Sequence, residues 1–244
     1  MRTRNLYKPD SAKPFALSRS RLENYLKCPR CFYLDRRLGV EPPSGPPFNI
    51  NSAVDHLLKK EFDHYRALQQ PHPYMLEAGL DAVPFAHDML EEWRENFKGV
   101  QCVHSGSGFK VTGAIDDLWL DRKSGQLIVV DYKATAKDAE VTLDADWQIS
   151  YKRQMELYQW LLRKNGFDVA DTGYFVYCNG DRSAEHFDGV VRFRVKLIPY
   201  FGNDGWVEGA LKAAKDCLDA GTPPPMSDNC EQCAYLKDIR QLSL

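Results

Sequence analysis

The sequence predicts an α/β domain built on a mixed central sheet, and three observations carry that prediction. Amphipathic helical segments lead the chain. Two apolar strand-like runs joined by a tight turn follow. A long helical segment then crosses over to a second group of strands.

In chain order, residues 1–17 form an extended lead-in. Ser18 is placed to cap a helix reaching about Lys27, with Leu22, Tyr25 and Leu26 at helical spacing. Ser18 to Arg37 is locally basic: Arg19, Arg21, Lys27, Arg30, Arg36 and Arg37 face only Glu23 and Asp35, with Tyr25, Phe32 and Tyr33 interleaved. Such a segment fits either a solvated helix face or contact with phosphates and bases. Residues 41–49 are a Pro-rich connector. Asn51 to Tyr65 reads as an amphipathic helix with Val54, Leu57, Leu58, Glu61 and Phe62 on one side. A Pro/His-rich loop at 71–74 and a second helix from about Phe85 to Phe97 follow.

The middle is β. Phe109 to Leu120 reads as one strand, Asp121 to Gly125 as a turn, and Gln126 to Lys133 as the next strand. Trp147 to Lys164 is the crossover helix, ended by Asn165-Gly166, where a left-handed C-cap belongs. Gly173 to Cys178 is a buried strand. Val190 to Ile198 is half-exposed, alternating Val191, Phe193, Val195 and Leu197 with Arg192, Arg194 and Lys196. Gly205 to Ala220 is the last helix expected, and Pro223-Pro224-Pro225 leads on to Cys230.

The 244 residues suit one large domain, or one with an appendage. A 43% hydrophobic and 12% aromatic content fills a core, which excludes a disordered chain. A formal net charge of -2 excludes a histone-like binder but leaves room for a nucleic-acid enzyme with a local basic groove. No apolar run is long enough to span a membrane, and the start lacks a secretory h-region, so a cytoplasmic location is expected.

The candidate chemistry centres on Val129-Val130-Asp131-Tyr132-Lys133. Residues two apart in a strand share a face, so Asp131 and Lys133 project together. Asp131 interrupts an apolar run, a place ionisable groups occupy when paired or bound to metal. Asp116 arrives from the neighbouring strand. Gly113 leaves room beside it for a ligand, which favours Asp116 over Asp117 as the inward acid; Asp117 reads as a surface or turn carboxylate. Two carboxylates and an ammonium at one spot suit metal-assisted hydrolysis of a phosphodiester. The Tyr132 carbonyl is a further oxygen ligand. Gln154 and Tyr158, four apart on the crossover helix, share a face.

Cysteines supply a second constellation. Cys28-Pro29-Arg30-Cys31 and Cys230-Glu231-Gln232-Cys233 form two C-x-x-C pairs, a four-thiolate set suited to Zn²⁺ or an iron–sulfur cluster. Cys102, Cys178 and Cys217 read as small buried hydrophobes.

The set Gly113-x-x-Asp116, Asp131-Tyr132-Lys133 and Gln154-x-x-x-Tyr158 resembles the PD-(D/E)XK nuclease superfamily. Together with Leu17-Ser18-x-Ser20-Arg21-Leu22-x-x-Tyr25-x-x-Cys28-Pro29-x-x-Phe32, it is similar to the RecB-like branch, which includes the CRISPR-associated adaptation exonucleases. The resemblance runs from about 17 to 236 and implies a restriction-endonuclease-like core: a mixed sheet flanked by helices, plus a four-cysteine clip joining the N- and C-terminal segments. It implies one domain over 18–244, with the catalytic core at 51–200 and the clip formed by 18–40 and 222–236. It further implies Asp116 and Asp131 as metal ligands, Lys133 as the catalytic lysine, Gln154 and Tyr158 as a substrate-positioning pair, and Mg²⁺ or Mn²⁺ as the ion. The expected activity is a deoxyribonuclease, an exonuclease on single-stranded DNA or DNA ends, that leaves 5′ phosphates. Arg19, Arg21, Lys152 and Arg153 are expected to guide the strand.

Two departures from the family pattern stand out. Ile115 rather than proline precedes the first acid, as is common in this branch. The branch's helix histidine is also displaced: its register falls on Asp55, with His56 one step, about 100°, further round. Asp55 is therefore expected to take the metal-ligating place. In the resembled enzymes one upstream and three downstream cysteines hold a cluster; here Cys31 restores the count to four, so [4Fe-4S] leads and Zn²⁺ is the alternative. A non-catalytic nucleic-acid-binding or adaptor module that kept the fold is the alternative function, and a cluster-governed redox sensor ranks third.

Overall fold

Short polar or glycine-containing turns punctuate the apolar runs, and each run becomes an element. The computed structural model describes residues 5–42, 45 and 49–242. In chain order the first elements are β1 (Ala16–Ser18), α1 (Arg19–Lys27), α2 (Pro29–Leu38), α3 (Asn49–Leu68), α4 (Pro73–Glu77) and β2 (Ala82–Pro84). They are followed by α5 (Leu90–Arg94), β3 (Val100–Val103), β4 (Lys110–Gly113), β5 (Asp117–Asp121) and β6 (Leu127–Thr135). The chain continues through α6 (Ile149–Lys164), β7 (Thr172–Gly180), β8 (Phe193–Phe201), α7 (Val207–Asp219) and α8 (Glu231–Gln241). Single 3₁₀ turns at Asp146–Gln148 and Asp204–Trp206 lead into α6 and α7.

The chain divides into two compact units. One comprises Met1–Pro46, Gln101–Thr112 and Gly205–Leu244; the other comprises Pro47–Val100 and Gly113–Asp204. Within the second, five strands run in the order β2-β5-β6-β7-β8. β6 and β7 are parallel and joined by the α6 crossover, while β2/β5, β5/β6 and β7/β8 are antiparallel. The mixed sheet predicted from sequence is thus present, with helices on it. One face packs Ile128, Val130, Tyr132, Val176 and Trp119 against Leu58 and Phe62 of α3. The Phe62 ring stacks on Trp119 at 5.4 Å. Burying a side chain of that size contributes roughly 2–3 kcal/mol. On α3 the packed stripe is Val54, Leu58 and Phe62, while Leu57 stays 62% exposed. The opposite face carries α6, where Gly173 of β7 admits Met155 and every residue from Gln154 to Leu162 is buried.

In the first unit, Cys28 ends α1 and begins α2, because Pro29 cannot continue the first helix but suits the first position of the second. Leu22, Phe32, Tyr33, Leu211 and Leu218 are buried. Tyr33 donates from its hydroxyl to the Ala220 carbonyl at 3.0 Å. β1, β4 and β3 form a small sheet in which β1 and β4 are parallel.

Several elements differ from the sequence expectation. The helix expected at 85–97 shrinks to α5, because the chain first forms β2 and a turn that stacks His87 on Trp93 at 4.5 Å. The strand expected at 109–120 is two strands, β4 and β5, in different sheets, with Ala114–Asp116 between them. The expected loop at 71–74 runs into α4, which His72 caps by accepting from the Tyr74 amide. α8, β2 and β3 have no counterpart in the expectation. Of the Pro-rich connector, 43, 44 and 46–48 lie outside the described residues, as do 1–4 of the lead-in and 243–244 at the C-terminus. Among the described residues, no helix is long and apolar enough to cross a membrane.

Candidate active site

β6 carries the site because its pleat sorts three consecutive residues onto two faces. Asp131 and Lys133 face α6, and the Lys133 ammonium pairs with Asp131 Oδ2. Gln154 of α6 donates from Nε2 to Asp131 Oδ1 at 2.7 Å and to the Tyr158 hydroxyl at 3.1 Å. Gln154 and Tyr158 are both buried, so neither is a solvated helix position. The Lys133 Nζ also lies 4.6 Å from the centre of the Tyr151 ring, a neighbour the sequence reading did not include. Burial alone would lower the Lys133 pKa, but Asp131 and then Asp116 outweigh it and hold the ammonium above its ordinary value. An ammonium paired with Asp131 in this way is suited to stabilising charge and orienting a nucleophile.

Asp116 comes from the break between β4 and β5. Its Oδ2 accepts from the Tyr132 amide at 2.9 Å, which sets the carboxylate against the backbone between Asp131 and Lys133. Its carbonyl accepts from Arg94 Nε at 3.1 Å. The structure thus brings Asp116, Asp131 and Lys133 to one place. Asp55 of α3 joins them: burial and then the nearby Asp116 raise its pKa. Lys59, one helical turn on, donates to Asp55 Oδ2 at 2.8 Å and lies 3.6 Å from Asp116 Oδ1. Sequence reasoning passed over Lys59; its signal was the i,i+4 spacing from Asp55. His56 is exposed, as its offset on the helix implied. Tyr132 pairs with Val176 in the β6–β7 ladder, and its side chain turns to the α3 face.

Asp117 overturns its expected place as a surface or turn carboxylate. It is fully buried. Its Oδ2 accepts from the Tyr132 hydroxyl at 2.8 Å; its Oδ1 pairs with Arg66, with Arg94 Nη2 at 3.1 Å, and with the Leu118 amide at 2.8 Å. Strand alternation did send Asp117 to the opposite face, but α3 covers that face, so the carboxylate needed partners. Arg66 and Arg94 supply them from elements distant in sequence, which no local pattern reveals. Gly113 also serves a different purpose from the one expected: a Cβ there would come within 2.6 Å of the Tyr158 ring, so the space it leaves belongs to Tyr158 and not to a ligand.

The expected strand-guiding residues fall in both units. Lys152 lies over the Tyr200 ring at 5.9 Å, and Arg153 is half-buried on α6. Arg19 and Arg21 belong to the other unit, where Arg21 pairs with Asp35 at 2.9 Å and with Glu41 at 3.4 Å.

That unit also holds the four cysteines of the two C-x-x-C pairs. Their Sγ atoms all lie within 4.8 Å of one another. Cys31 is 3.6 Å from Cys230 and 3.5 Å from Cys233, and Cys28 is 3.7 Å from Cys233. Four thiolates at about 2.3 Å from one tetrahedral ion sit about 3.8 Å apart, so this donor set fits a single bound metal ion. Burial opposes ionisation of Cys28, but hydrogen bonds from Ser227, the Cys31 backbone and Cys230 together overcome it and pull the pKa down to about 6. Burial instead pushes Cys233 up to about 11. Cys178 is buried in the sheet core and Cys217 is half-buried beside the Pro29 carbonyl, so each packs as a small hydrophobe; Cys102 is half-buried.

No curated protein sequence matches this chain. Among solved structures, one titled "Crystal structure of SSO0001" is similar at 16% identity with a TM-score of 0.39, over 86% of this chain and 79% of that one. The family model of the PD-(D/E)XK nuclease superfamily matches residues 16–237, nearly the whole chain, and the protein belongs to that superfamily.

Proposed function

We propose that this chain is a metal-dependent deoxyribonuclease of the RecB-like branch, similar to the CRISPR-associated adaptation exonucleases and acting on single-stranded DNA or DNA ends. One observation carries the reading: Asp131 and Lys133 share a strand face while the Asp116 carboxylate rests on the amide between them. Asp116, Asp131 and the Tyr132 carbonyl are the oxygen donors for Mg²⁺ or Mn²⁺, which would polarise the scissile phosphate and acidify a water. Lys133, kept cationic by its two acids, orients that water and offsets charge in the transition state. Gln154 fixes the Asp131 carboxylate and ties it to Tyr158, so the pair positions the site from behind. Lys152 and Arg153, in the same unit as the acids, are the residues proposed to contact the backbone of the bound strand. Cleavage leaves a 5′ phosphate.

The thiolate spacing supports one Zn²⁺ in the clip over the [4Fe-4S] cluster suggested by resemblance, because a four-iron cubane holds its thiolates further apart than one ion does. Metal analysis of anaerobically purified protein separates the two: one zinc in a colourless sample supports this reading, and iron with visible absorbance contradicts it.

With Mn²⁺, the protein is expected to degrade a labelled single-stranded oligodeoxynucleotide. Lys133→Ala should lower the rate by about a hundredfold or more with an unchanged circular dichroism spectrum. Equal cleavage by the variant removes Lys133 from the chemistry. DNA binding without metal-dependent turnover supports the adaptor alternative.

A further inference from the structure

Lys59 introduces a second ammonium into the acid cluster, from an element that supplies no other cation there. It lies on α3 between two carboxylates, 2.8 Å from Asp55 and 3.6 Å from Asp116, and is largely shielded from solvent. The i,i+4 spacing and the short Asp55 contact hold it there. Lys133 meanwhile pairs with Asp131. The neighbouring Arg94 and Arg66 guanidiniums are matched by Asp63 and Asp117, so the three carboxylates against two ammoniums leave the cluster one net negative charge. One divalent ion changes that to one net positive charge, which balances a phosphodiester's single negative charge. A second divalent ion would have to settle against the Lys59 ammonium and leave a large uncompensated positive charge in a partly buried site.

We infer that Lys59 is a built-in second cation: its ammonium fills the place between Asp55 and Asp116 that a second metal would need, so the site takes one divalent ion. Asp55 on this account is a positioning residue that anchors Lys59, and it does not ligate the metal directly. The inference rests on the proposed metal-dependent reading of the same site.

The test is the number of Mn²⁺ ions bound, measured by calorimetry and by electron paramagnetic resonance on protein whose cysteine clip is fully loaded. Ions at the site are those lost in Asp131→Asn. Wild type is expected to lose one. Lys59→Gln should gain a second ion, bound at least tenfold more tightly than any second ion in wild type, whereas Lys59→Arg should remain at one. Two ions in wild type overturn the inference, and so does a Lys59→Gln count that stays at one. The wild-type count decides the point even if Lys59→Gln does not fold. If Asp131→Asn loses no Mn²⁺ at all, the metal-dependent reading itself fails, which is a distinct result.

Discussion

Asp117 shows what strand alternation does not reveal when both faces of a sheet are covered. The acid is buried because Arg66, Arg94 and Tyr132 meet it, and Arg94 also holds the Asp116 carbonyl. Removing the charge leaves two guanidiniums short of a partner in the interior. Asp117→Asn is expected to destabilise its unit by about 3 kcal/mol in urea unfolding, since a broken buried ion pair costs several kcal/mol. A loss below about 1 kcal/mol would show that the network contributes little. His72 makes a second prediction. It stacks on Phe62 at 4.3 Å, its Nδ1 accepts from the Tyr74 amide, and Nε2 therefore carries the proton shared with Glu61. Burial lowers its pKa, against the opposing pull of Glu61. The unfolded chain then binds the proton more readily than the folded one. Stability from this group is full above the unfolded value near 6.5 and is lost as pH falls below it. Between pH 7.5 and 5.5 the thermal midpoint should drop in wild type and drop less in His72→Asn, which keeps a capping oxygen; equal slopes would contradict the assignment.

The elements most readable in the sequence are those whose signals are local. β6 is a continuous apolar run broken by one acid, and α6 ends at Asn165-Gly166 with Gly166 at φ 86°, the left-handed cap expected. β8 keeps Phe193, Val195 and Leu197 against the core and exposes Arg194 and Lys196, as its alternation implied, but Val191, expected in the same inward row, precedes the strand and is exposed. The break at Ala114–Asp116 was not readable, because both halves look like strand and only their partners in different sheets separate them. The same limit hid Arg66 and Arg94, which meet Asp117 from other elements, whereas Lys59 had a local signal in its i,i+4 spacing from Asp55. Gly113 tests the docking of α6. Gly113→Ala puts a methyl group against Tyr158 and Leu161 and should cost roughly 1–3 kcal/mol while displacing the Tyr158–Gln154–Asp131 chain, so nuclease activity falls with stability. An Ala variant with wild-type stability and rate would mean that Tyr158 has slack at this contact.

The chain passes between its two units four times, and the cysteine clip draws residues near both ends into the first of them. The C-x-x-C spacing disclosed in advance which four cysteines come together, because thiolates three apart can reach one point whatever lies between the pairs. Structural zinc contributes on the order of 10 kcal/mol to small domains, so the clip metal should govern how firmly 222–241 is held. Cys230→Ser with Cys233→Ser, or removal of the metal by a chelator, is expected to speed hydrogen exchange across 222–241. Unchanged exchange there would place the clip outside the unit's stability. The nuclease reading is tested most directly by the single-turnover rate of Mn²⁺-dependent cleavage of single-stranded DNA in wild type and in Asp131→Asn. Cleavage that requires Mn²⁺ and slows about a hundredfold or more in the variant is the predicted result. Cleavage at the wild-type rate by Asp131→Asn would contradict it.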